Sequence, residues 1–270
     1  MRRSVCSLFV IGLLLPAPAA HAWGPIVHEA VSGRAIDTLP KPLKEFYKAH
    51  RLELPSLVLD SEEAPPPEGP ERRFALDALG SFPFSDVPRA QAALQQKLGD
   101  EADTAGRLPF LLRESYERLV AAMKSGDKTQ ILQESDGLAG LVTDLYNPLA
   151  LGRNFDGQLT GQPGLWVRFS ERLPLSMERR LKLSPDTAHY LDDPREHVFS
   201  IMLSSYVWLD NVLYLDWLAA RGKSGYSEIY YAAFEERVGE LLRQLLSSAA
   251  SSSASFWYTA WTEAGKPALR

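Results

Sequence analysis

Few residues of this chain could carry acid–base, nucleophilic or metal chemistry. It holds five histidines and one cysteine in 270 residues. Cys6 and His21 fall in an N-terminal segment with the character of an export leader, which leaves His28, His50, His189 and His197. With no thiolate, a metal such as zinc would have to be held by imidazole nitrogen and carboxylate oxygen. His189 and His197, in "AHYLDDPREH", stand near Asp192, Asp193 and Glu196. Pro194 splits that segment, so no pair of ligands one helical turn apart forms, and a solvated helix start is expected. His50 reads as a cation at a helix C-terminus. "GRNFDGQLTG" lacks the Gly-Lys-Ser/Thr ending of a phosphate loop, and no serine–histidine–acid or cysteine nucleophile set is evident. Asp144 is the conspicuous carboxylate, because Leu141, Val142 and Leu145 surround it in a predicted helix. A charge there needs a partner, and either a metal ion or Arg72 would serve.

The elements that must position these groups are helical. Two arginines, Arg2 and Arg3, precede an apolar run from Val5 to Leu15, and Ala20-His21-Ala22 closes it in the A-x-A manner. Residues 1–22 therefore read as a signal peptide cleaved before Trp23, with export to the periplasm or the exterior. Removing 22 residues from 270 leaves 248, residues 23–270, enough for one large domain. Loss of Arg2 and Arg3 takes the formal charge from −5 to −7, which argues against a broad basic nucleic-acid surface. No further segment is expected to span a membrane. Pro25 suits a first helical turn, and Val27, Val31 and Ala35 recur at helical spacing until Pro40. "EAPPPEGPE" is a loop by composition, and residues 72–89 read as irregular but packed. Helices are predicted from Leu108 to Met123, Ile131 to Leu145, Arg195 to Leu218 and Ser227 to Ala264, with residues 147–164 as loop. The serine cluster 247–255 keeps a helical register with Leu245, Leu246, Ala249 and Ala250, so it is read as helix and not linker. The expectation is one all-α domain.

Four stretches, in order, are "WGPIVH", "LVLDSEEAPPPEGPERRFALDALGSFPFSD", "LAGLVTDLYNPLALGRNFDGQLTGQPG" and "FWYTAWTEAGKP". Together they resemble the zinc-dependent phospholipase C and single-strand-specific nuclease superfamily. That resemblance implies a compact all-α domain holding three zinc ions and hydrolysing phosphodiester bonds with a metal-bound water. It also implies an unusual ligand: the free amine and carbonyl of the N-terminal residue chelate one zinc, so leader removal would create the site.

Carried over position by position, the resemblance implies metal-binding roles for four residues. Trp23 is the chelating first residue, His28 the imidazole on the same ion, Asp60 a ligand of a second zinc, and Asp144 the carboxylate bridging the two. Other positions depart from the pattern. Arg72 stands where the family has a histidine, as do Gly140, Ala150 and Trp166, and Ser170 stands where it has an acid. The family constellation needs five imidazoles and the trimmed chain has four, so an unchanged trinuclear site is excluded by counting. Simpler readings stand beside these: Trp23 could be a fraying aromatic, His28 a core histidine and Asp60 the start of a turn. Two functions follow. The chain could be a metal-dependent phosphodiester hydrolase with one or two zinc ions, Arg72 taking a phosphate oxygen of the substrate. Alternatively it is a non-catalytic relative that binds a ligand or serves structurally.

Overall fold

The computed structural model describes residues 22–54, 70–84 and 86–269. The expected leader up to residue 21 lies outside the described residues, as does Asp60 with the proline-rich stretch after it. Among the described residues the chain is all-α, with helices and short 3-10 turns around one core and no strand.

The first helix, α1 (Pro25–Thr38), has proline in its first turn and buries Val27, Val31, Ala35 and Ile36 along one face. Of two further helices, the first was implied only by His50 read as a C-terminal cation, and the second was not expected from the sequence. In α2 (Lys41–Ala49) the buried residues are Leu43, Phe46 and Tyr47, and α3 (Gln91–Leu98) buries only Leu94. Each is too short to show a clear period beside its polar neighbours. The pair α4 (Leu108–Ser125) and α5 (Lys128–Leu145) forms a helical hairpin. Gly126, at φ 73°, supplies the left-handed residue that ends α4, and the Asp127 side chain accepts from Gln130 N–H to start α5.

The helix predicted from Arg195 to Leu218 is two, α6 (Pro194–Tyr206) and α7 (Leu209–Ala220). A tight turn at Val207 and Trp208 separates them, with Trp208 N–H bonding back three residues to Ser205 O. Apolar residues continue through the turn, which hides the break in the sequence. Within Pro194–Ala220 an 18-residue window has a mean hydropathy of 1.3, long and apolar enough by length and composition alone to cross a membrane, as core helices of folded domains also are. The long α8 (Glu228–Glu263), about 54 Å at 1.5 Å per residue, packs on α1, α4, α5 and α7. Tyr230, Phe234, Val238, Leu242 and Leu246 form its buried stripe at four-residue spacing. Further along, Trp257 stacks on Tyr47 at 4.8 Å and donates its indole N–H to Ser135 O.

The serine cluster is helical, as its register predicts, and it also does something the register does not reveal. Ser247, Ser251, Ser255 and Thr259 each donate their hydroxyl to the carbonyl four residues earlier in α8. The same oxygens accept the backbone N–H groups of Ser184, Asp186, His189 and Leu191, at 2.9–3.2 Å. A ladder of hydroxyls thus holds the irregular segment 182–192 along the helix by its peptide groups.

Candidate functional site

Asp144 is the penultimate residue of α5 and is fully buried. Its Oδ1 accepts the Ala22 backbone N–H at 3.0 Å, and its Oδ2 accepts Arg72 Nε at 2.5 Å. Arg72 ends the short turn Pro70–Arg72, and Phe74 N–H, bonded to Ala150 O at 2.7 Å, fixes that strand of chain beside the end of α5. The ion pair is nearly dry: the Arg72 side chain is 14% exposed and that of Asp144 0%. Burial pushes the Asp144 carboxyl up to about 6 even though Arg72 and the Ala22 N–H pull it down, so it remains ionised at neutral pH.

Residues 22–24 are held at the same place. Trp23 is 1% exposed, its indole N–H donates to Thr143 O at 2.9 Å, and its ring lies 5.4 Å from Phe169. Asn147 donates from one amide nitrogen to Ala22 O and to Ser170 Oγ, both at 2.9 Å, while its own oxygen caps Leu149 N–H. Gly24 N–H donates to Ser170 O. A fraying Trp23 is therefore the wrong reading: the tryptophan is a core residue of the α1 entry. His28 follows on α1 and is buried at 7% exposure.

The structure thus brings Arg72 and Asp144 into contact and seats the Ala22–Trp23 peptide on them. The positions where the resemblance wants imidazole are occupied by packing residues. Gly140, Ala150 and Trp166 are buried and offer no imidazole, and the Ser170 hydroxyl is engaged by Asn147. Among the described residues, no three His, Cys, Asp or Glu side chains converge as metal ligands would. The donor set around Asp144 does not fit a zinc ion, because a guanidinium already supplies the positive charge at Oδ2.

A second buried ion pair escaped the sequence reading. Arg168, in a π-helical turn (Arg168–Arg172), binds both oxygens of Asp216 on α7, at 3.0 and 3.1 Å. Gln162 and the Tyr230 hydroxyl donate to the same carboxylate, and Arg168 also donates to Gln162 O and Pro163 O. The Tyr226 ring lies 3.8 Å from the guanidinium. Every oxygen of Asp216 is satisfied, so this centre locks the loop before Arg168 to α7 and α8 and leaves no group for chemistry. Its only sequence signal was an aspartate within the apolar run "LYLDWLAA".

His197 departs from the expected solvated helix start. It is partly buried, 5.6 Å from the Phe256 ring and 3.5 Å from Ser252 Oγ. Burial and then the nearby His189 lower its pKa from the ordinary histidine value. His50 ends α2, as expected, and pairs with Glu53 at 2.7 Å. Neither a protein-family model nor a curated protein matches the chain.

Proposed function

We propose that this chain is an exported, non-catalytic helical protein built like the phospholipase C and nuclease scaffold, with an ion pair in place of its metals. The observation that carries this reading is the contact of Arg72 Nε with Oδ2 of a wholly buried Asp144, which involves no residue of the leader. A guanidinium supplies the compensating charge and donors in fixed geometry, which is the structural part of what a bound cation does. The guanidinium supplies the positive charge itself, so the neutralisation needs no metal. Removal of a leader at Ala22–Trp23 would release Oδ1 and a free amine, but Arg72 would keep Oδ2.

The competing reading is a phosphodiester hydrolase with one or two zinc ions on Trp23, His28, Asp60 and Asp144. Metal analysis of the exported, trimmed protein after dialysis against micromolar zinc separates the two. The non-catalytic reading expects under about 0.1 zinc per chain, a melting temperature unmoved by a chelator, and no hydrolysis of bis(p-nitrophenyl) phosphate. One tightly held zinc per chain, lost together with stability on chelation, would overturn it.

A further inference from the structure

The most apolar stretch of the described chain is poorly covered: the apolar window within Pro194–Ala220 is only 44% buried. Eleven large apolar side chains are exposed among the described residues, and six of them lie between residues 207 and 229. They are Val207, Trp208, Tyr214, Trp217, Tyr226 and Ile229. Helix α7 buries Leu209, Val212, Leu213, Asp216 and Ala219 against the core. Asp210, Tyr214 and Trp217 are exposed along its outer face at spacings of four and three residues, with exposed Val207 in the turn before the helix and exposed Arg221 at its C-cap. Such spacing lines these side chains up along one side of the helix, as a two-helix seam requires. Tyr214 and Trp217 stack at 6.0 Å with rings 21° apart, and the Arg221 guanidinium lies over the Trp217 ring, 5.5 Å from its centroid.

We propose that this face binds a second copy of the chain, with the two α7 helices packed antiparallel about a two-fold axis passing between residues 215 and 216. The charge order supports that occupant. Asp210 stands at the N-terminal end of the seam and Arg221 at the C-terminal end, with the aromatic pair between them. Turning one helix end for end sets Asp210 against Arg221 of the second copy, twice over. It also sets Tyr214 against Trp217 and brings Trp208 opposite Lys223, a cation for its ring. An isologous contact requires a surface complementary to itself, and this stripe has that property about one point. Antiparallel packing at roughly 20° also opposes the helix dipoles, and Trp, Tyr and Arg are the side chains that dominate such contacts.

The test uses charge reversal, measured by sedimentation velocity at about 20 µM with melting temperature as the folding control. The wild-type protein is expected to sediment as a dimer. Asp210→Arg alone and Arg221→Asp alone each set like charges opposite one another, and each is expected to weaken dimerisation at least tenfold. Mixing the two single variants restores both pairs in a heterodimer, and the double variant restores them in a homodimer. Trp217→Glu is expected to give a folded monomer. A monomeric wild-type chain overturns the proposal, as does a dimer indifferent to these changes. So does a monomer that instead binds vesicles of phosphatidylglycerol, since the face would then belong to a lipid surface.

Discussion

At the residue scale, the Arg72–Asp144 pair decides what the centre of the molecule is. Burying a carboxylate costs several kcal/mol unless a partner compensates, and here the compensation crosses from residue 72 to residue 144. Arg72→Ala leaves that charge alone in the core. It should lower unfolding free energy by about 3–5 kcal/mol in urea titration, with Asp144 becoming protonated in the folded state. Replacing both partners by apolar residues of similar volume, Arg72→Met with Asp144→Leu, should recover most of that loss. If the double variant is no more stable than the single, the pair holds something beyond its own charges. His197 gives a prediction in pH. Its folded pKa lies below the ordinary value of 6.5, so the unfolded chain binds the proton first as pH falls. The stability this contributes is complete above 6.5 and is lost as pH falls through the lowered folded value. Asp144 acts in the opposite sense, because its raised value favours the fold at low pH and that contribution disappears as pH rises through about 6. His197→Phe should therefore remove the His197 contribution and leave that of Asp144 in place. Between pH 7 and 5 its melting temperature should rise relative to wild type, and an unchanged difference across that range would show that His197 does not sense the medium.

At the scale of elements, the hydroxyl ladder of α8 ties the segment 182–192 down without a sheet. Each rung is an ordinary hydrogen bond, and a rung contributes about 0.5–1.5 kcal/mol. Amide exchange should report it directly. In Ser247→Ala/Ser251→Ala the amides of Ser184 and Asp186 should exchange at least tenfold faster, while those of His189 and Leu191, still held by Ser255 and Thr259, change little. Uniform acceleration along the segment would mean that the rungs open together. The sequence made α8 legible because Tyr230, Phe234, Val238 and Leu242 keep one face apolar over many turns. It could not make the ladder legible, since Ser247, Ser251 and Ser255 look the same whether their hydroxyls face water or a strand of chain. The break between α6 and α7 was hidden for a related reason: Val207, Trp208 and Leu209 continue the apolar run through the turn.

At the scale of the whole molecule, the all-α class was readable from periodicity and proline placement, and so were the limits of α4, α5 and α8 to within a turn. The centre was only half readable. Asp144 betrayed itself as a carboxylate in apolar company and Arg72 was named beside a metal ion as its partner, but the choice between them was not legible, because contacts across 72 residues follow from tertiary packing. Arg168 and Asp216, 48 residues apart, were missed altogether. Among the described residues the chain therefore keeps two dry ion pairs in a core of aromatic and aliphatic side chains, each with its own satisfying donors.

The burial of residues 22 and 23 sets an order of events. Ala22 is 0% exposed and Trp23 1%, with the carbonyl between them held by Asn147. A peptidase needs several residues in extended form in its cleft, and no such length of chain can be drawn out at this bond without dismantling the α1 entry. If a leader is removed at Ala22–Trp23, that cleavage belongs to the time before folding. A chain that folds first with its leader attached is shielded from that cleavage, and limited proteolysis of refolded full-length protein should leave the bond intact while it is cut readily in urea. Folding and processing are then competitors in time, and whichever comes first determines which N-terminus the core encloses.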